Sequence, residues 1–155
     1  MKKFVSFILG TILVLTLTAC GKSNFDEVYS FSGENDVIRV VNGSAKIGGG
    51  KQIFDGGKIE PKTEDFTDLT MLSVEFYLDD GEENWTIMNS SYVSKSGTFK
   101  LDNLKLGQME GTILNTNMER DAIKDNLYFK INLTHEDGSV DTITMPMEVV
   151  EENNN

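Results

Sequence analysis

Cysteine occurs once in these 155 residues, at Cys20, so no disulfide can form within the chain. A domain built from this sequence must hold together by its core alone, without the staples on which small exported domains often rely. Histidine is equally scarce. His135 is the only one, and it stands beside Glu136-Asp137-Gly138, a stretch expected to be a hairpin tip with a solvated ring. One thiol and one imidazole exclude the Cys/His sets that bind zinc. They also leave a nucleophile–base pair little to build on, since a catalytic base needs an orienting partner and a sheltered cleft. The G-x-S-x-G, H-E-x-x-H and phosphate-loop motifs are absent, and Gly48-Gly49-Gly50-Lys51 has neither the spacing nor the hydroxyl residue of the last. Positive charge is short as well. Fourteen Lys and Arg face 25 Asp and Glu, for a net charge of −11. Such a surface is unsuited to nucleic acid, whose phosphates demand Lys and Arg, and it is repelled by anionic lipid.

What the chain does have lies first at its N-terminus. Lys2-Lys3 is followed by an apolar run from Phe4 to about Leu17, then by Leu17-Thr18-Ala19-Cys20 and the polar Gly21-Lys22-Ser23-Asn24. A basic start, a short apolar region and small residues before a cut make a secretory signal peptide. The run falls short of the roughly 20 apolar residues a spanning helix wants, and Ser6, Gly10, Thr11, Thr16 and Thr18 dilute it. Ordinary cleavage after Ala19 wants a small residue at −3, where Leu17 stands.

Leu17, Thr18, Ala19 and Cys20 resemble the lipobox of bacterial lipoproteins. The resemblance implies that Cys20 is diacylglycerylated and becomes the mature N-terminus, with palmitate-type acyl chains as a membrane anchor. Two chains give stable attachment where one gives only marginal binding. The expected address is the outer face of the bacterial cell membrane, and the expected organisation is a signal peptide at 1–19, a lipidated cysteine and tether at 20–27, a β-domain at 28–150 and a disordered tail at 151–155. Loss of residues 1–19 leaves 136 residues, and removal of Lys2 and Lys3 takes the net charge to −13. That length suits one domain, able to bury about two-thirds of its unfolded surface.

Along the mature part, short apolar or alternating runs recur at roughly ten-residue spacing between turn residues, the pattern of a sandwich or barrel. Val28–Phe31 is expected to be a strand closed by Ser32-Gly33-Glu34-Asn35. Val37–Val41 is expected to turn at Asn42-Gly43, the strongest two-residue hairpin signal, and to return over Ala45–Ile47. Gly48-Gly49-Gly50 then breaks the pattern, Gly56-Gly57 predicts a bulge or bend, and Pro61–Asp68 predicts an exposed loop. Leu72, Val74, Phe76 and Leu78 alternate with polar neighbours, as do Leu127, Phe129, Ile131 and Leu133, which predicts two half-buried strands. Trp85–Ile87, Phe99–Leu101, Leu104–Leu106 and Met109–Leu114 are further strand candidates, and Asn117–Asp125 the single helical one, with Asn117 as N-cap. Ile143, Met145, Met147 and Val149 predict one last strand, in which Pro146 marks an edge or a bulge. The fold class is therefore all-β: an antiparallel, immunoglobulin-like β-sandwich of about eight strands.

Few residues suggest chemistry. Asp79, Asp80, Glu82 and Glu83 gather four carboxylates around Gly81 and are the candidate metal ligands, for calcium, which takes oxygen donors. Their spacing does not fit an EF-hand loop, and strand alternation would splay them. Glu64, Asp65 and Asp68 form a second acidic group. Trp85 and Tyr92 could present a carbohydrate platform, although a lone Trp in a sandwich is ordinarily core. Acidic pairs able to hydrolyse glycosides can be drawn almost anywhere in so acidic a chain.

Besides the lipobox, Phe31-Ser32-Gly33-Glu34-Asn35 and Asn126-Leu127-Tyr128-Phe129-Lys130-Ile131 are similar to segments of small surface lipoproteins of Gram-positive bacteria. That resemblance implies an address and carries no activity with it. The reading is a lipid-anchored, non-enzymatic interaction module for an envelope protein, a peptide or a wall polymer, with no cofactor. The alternatives are a small envelope hydrolase or accessory subunit with an acidic or calcium site, and a source of a bioactive leader peptide from Ile12–Ala19.

Overall fold

The computed structural model describes residues 25–63, 66, 68–94, 99, 101–112, 114 and 117–152. Among them are eleven strands: β1 (Glu27–Glu34), β2 (Ile38–Gly48), β3 (Lys51–Asp55), β4 (Lys58–Pro61), β5 (Leu69–Asp79), β6 (Asn84–Val93), β7 (Leu104–Lys105), β8 (Gln108–Glu110), β9 (Leu127–His135), β10 (Val140–Pro146) and β11 (Glu148–Glu151). One helix, α1 (Asn117–Asn126), precedes β9. The strands form two sheets. The first runs β11-β1-β2-β3-β8, with β4 beside β2 and β7 beside β4; the second runs β10-β9-β5-β6. Every pairing is antiparallel, and the two sheets make the sandwich that the alternation of apolar residues predicts.

Asn42-Gly43 does not turn the chain. β2 runs through it without a break for 11 residues. Phe31 faces Gly43 while Gly33 faces Val40, so β2 spends one more residue than β1 and carries a bulge. Only Asn42 of the pair has a left-handed backbone, at φ 60°, whereas a two-residue hairpin needs two such residues in succession. Gly49 and Gly50 supply them, at φ 59° and 74°, and connect Gly48 to its partner Lys51. The bulge bends β2 so that its halves take different neighbours: Ser44–Gly48 pair with β3 and Ile38–Val41 with β4. Gly56-Gly57 carries the chain across that bend, as expected, and a Cβ on Gly57 would lie 2.2 Å from the carbonyl oxygen of Val41.

The core is centred on four phenylalanines. Phe31 and Phe54 come from one sheet, Phe76 and Phe129 from the other, and all four are buried. Phe76 touches the other three, with ring centroids 5.5, 5.2 and 5.0 Å from Phe31, Phe54 and Phe129. Leu72, Val74 and Leu78 on β5 and Leu127, Ile131 and Leu133 on β9 are buried around them, as their spacing predicts. Gln52 is the buried polar side chain among the described residues. Its amide donates to the carbonyl of Leu114 at 2.8 Å and accepts from the N–H of Leu114 at 2.6 Å, as a strand neighbour would.

The C-terminal strand expected over 143–149 is two strands. β10 stays in the second sheet as far as Pro146, and β11 then pairs with β1 in the first. Proline cannot donate a ladder hydrogen bond, and the change of sheet begins directly after it. The expected tail also starts too early. Glu151 belongs to β11, the N–H of Glu152 donates to the carbonyl of Val28 at 2.7 Å, and residues 153–155 lie outside the described residues. At the other end, Glu27 of the expected tether is already in β1. Helix α1 buries Ile123 and ties β11 down through Lys124, whose ammonium lies 2.6 Å from Glu151.

Truncating Phe76 to Ala removes the contact shared by both sheets and should cost about 3–5 kcal/mol, and Phe129→Ala a similar amount. Denaturant unfolding of the two variants measures it; a loss below 1 kcal/mol would contradict this placement of the rings.

Candidate functional site

Leu17, Thr18, Ala19 and Cys20 lie outside the described residues, as do Glu64 and Asp65 of the second acidic group. The first group is the tip of the β5–β6 hairpin. Asp79 accepts from the N–H of Gly81 at 2.8 Å. One oxygen of Asp80 accepts from Glu82 and Glu83 at 2.9 and 2.8 Å. The N–H groups of Glu83 and Glu82 hold the Asp80 carboxyl below the usual carboxylate range. Two of the four carboxylates thus build their own turn, around a Gly81 whose φ of 88° favours glycine. Among the described residues no three His, Cys, Asp or Glu converge as metal ligands.

The strand that leaves this tip is unusual for its position. Among the described residues, β6 ends the second sheet and pairs only with β5. An outer strand exposes a row of free N–H and C=O groups, and proteins blunt such rows with brevity, charge, proline or a bulge. β10 carries Asp141 and Pro146, β11 has four residues with Glu at both ends, and β8 has three. β6 has ten residues, Asn84 to Val93, without charge or proline. Its one protective irregularity is a bulge near Ile87, between the Phe76–Met88 and Tyr77–Thr86 pairs.

Which of its backbone groups face outward follows from the hairpin's ends. The N–H of Ser94 bonds the carbonyl of Thr70, and the N–H of Asp80 that of Glu83. Bonded and open pairs alternate along an antiparallel ladder. The main-chain groups of Asn84, Thr86, Asn89, Ser91 and Val93 therefore face the open side. Apolar side chains are exposed at both ends of the strand, Trp85 at 37% and Val93 at 67%, with Met71 beside Val93 at 39%. The expectation that Trp85 is core is thus corrected. Although it pairs with Leu78, it stands beyond the bulge at the hairpin end of the strand, where more than a third of its surface stays open. Tyr92 packs against the core and donates its hydroxyl to the carbonyl of Lys105 at 2.9 Å, which keeps it from forming a platform with Trp85.

His135 is not the free turn residue its sequence neighbours imply. It closes β9, and its side chain is only 15% exposed, held between Asp68 Oδ1 at 2.8 Å from Nδ1 and Asp141 Oδ2 at 3.1 Å from Nε2. The Asp68 carboxylate, chiefly, and Asp141 push its pKa above the ordinary value against an opposing pull from desolvation. A ring held through both nitrogens by carboxylates is a clasp between the loop before β5 and the edge strand β10, ionic when the imidazole is protonated. Spacing alone conceals it, since Asp68 and His135 are 67 residues apart in sequence.

Two outcomes are expected. Because His135 has a raised folded-state pKa, the clasp stabilises fully below the unfolded value of about 6.5 and loses its effect as pH rises through the folded one. The melting temperature of the wild type should therefore fall toward that of His135→Gln as pH is raised from acid to alkaline, and parallel curves would refute the charged clasp. Calcium at millimolar concentration should raise the melting temperature no more than NaCl of equal ionic strength. A saturable calcium shift lost in Asp80→Asn/Glu82→Gln would show a site at the hairpin tip. Compared with protein-family models, with curated proteins and with solved structures, the chain finds no match in any of the three.

Proposed function

We propose that this chain is a lipid-anchored extracytoplasmic protein of the bacterial cell envelope whose sandwich is a binding module and not an enzyme. The anchor rests on Leu17-Thr18-Ala19-Cys20 at the end of a leader-like start, with the lipid on Cys20 and the domain on the outer face of the cell membrane. The observation that carries the binding role is the uncharged open edge of β6. Unpaired edges of this kind take up extended segments by strand addition, the main chain supplying affinity and the side chains specificity. The partner is accordingly an envelope protein or peptide with an extended stretch. Against a hydrolase, Asp79 and Asp80 of the β5–β6 tip are engaged in their own turn, and the single imidazole is tied up by two aspartates.

Cells fed labelled palmitate should label the wild type, whereas Cys20→Ala should accumulate as a precursor or be released without label. Equal labelling of the two would rule out the anchor.

A further inference from the structure

The two ends of the β6 edge differ in charge. At its N-terminal end stand Asp80, Glu82 and Glu83, all exposed, together with the half-exposed indole of Trp85. From Asn84 to Val93 no charge follows. We propose that the occupant of this edge is an uncharged extended segment of another envelope protein that ends, on its C-terminal side, in Lys or Arg. The inference rests on the binding role proposed above and specifies its partner. Direction comes from the sheet. All its pairs are antiparallel, and a strand added in the same sense to β6 reaches Asn84 with its C-terminal end. A basic side chain there meets the exposed carboxylates and the face of Trp85, which attracts a cation by its quadrupole. A cation placed at the opposite end meets Val93 and Met71 instead. A second copy of this chain is the less suitable occupant, because two bodies of such negative charge repel each other.

Trp85 is the only tryptophan in the chain and reports on this site directly. The full processed protein, in detergent micelles, is titrated with a synthetic peptide of about eight alternating Thr and Val residues ending in Lys-Lys, with tryptophan fluorescence as the readout. A saturable change is expected. The same peptide with Lys-Lys at its N-terminus should bind on the order of tenfold more weakly, as exposed charge pairs allow. Glu82→Lys/Glu83→Lys should erase that preference. Ser91→Pro, which removes an outward N–H and no bond to β5, should abolish binding, and methylating alternate peptide amides should do the same without altering the protein. Equal affinity for both peptides overturns the polarity. Binding indifferent to Ser91→Pro and to amide methylation overturns strand addition. Self-association lost in Ser91→Pro, with no peptide binding, gives the edge to a second copy. Palmitate labelling of Cys20 does not bear on these outcomes, so the anchor and the partner fail separately.

Discussion

Phe76 is where the two sheets meet. Its ring contacts Phe31 and Phe54 across the sandwich and Phe129 on the neighbouring strand, at centroid distances between 5.0 and 5.5 Å. Tilted and edge-on arrangements at such distances add attraction beyond the burial of the rings themselves. With no disulfide available, this cluster is the principal link between the layers, and the backbone around it has been shaped to admit it. A Cβ on Gly43 would sit 2.0 Å from the ring of Phe31, and one on Gly56 2.9 Å from the ring of Phe76. Both glycines therefore serve the aromatic core.

Accommodation of the rings has consequences for the whole first sheet. The bulge at Asn42-Gly43 bends β2 and divides its partners between β3 and β4, and the crossing at Gly56-Gly57 lies against that bend. The chain then reaches β7 and β8 as short segments on β4 and β3. The second sheet stays regular by comparison, and its long strands β5 and β9 pair over most of their length. At the far end of the chain, Pro146 ends the run of β10 in one sheet and β11 begins in the other.

Charge and exposure are distributed unevenly over this frame. Asp80 caps its own turn at the β5–β6 tip, while Asp68, before β5, and Asp141, on β10, hold His135. Edges β10 and β11 carry charge or proline, while β6 carries neither. A negative surface keeps such a protein soluble and separate from its copies. An uncharged outer strand works in the opposite direction, and its long open row of main-chain groups is the feature on which the proposed binding role depends.

The sequence by itself determined the class of fold and much of its interior. Strict alternation in Leu72–Leu78 and Leu127–Leu133 identifies the inward faces correctly, because a strand's side chains point to opposite faces with a period of two. It also located the helix and the acidic turns after β5 and β9. The meaning of Asn42-Gly43 was not legible: a left-handed residue suits a bulge as well as a hairpin, and the choice fell to Phe31, which needs the space beside Gly43. Nor could local sequence reveal that Trp85 stands at a sheet's end, that Pro146 separates two sheets, or that His135 meets Asp68 and Asp141. The absence of charge in 84–93 is written in the sequence, but its significance comes from β6 being outermost. Strand order within the second sheet decides the places of β6, Trp85 and His135, and the passage of the chain from one sheet to the other decides that of Pro146; neither is a property of a local stretch of sequence.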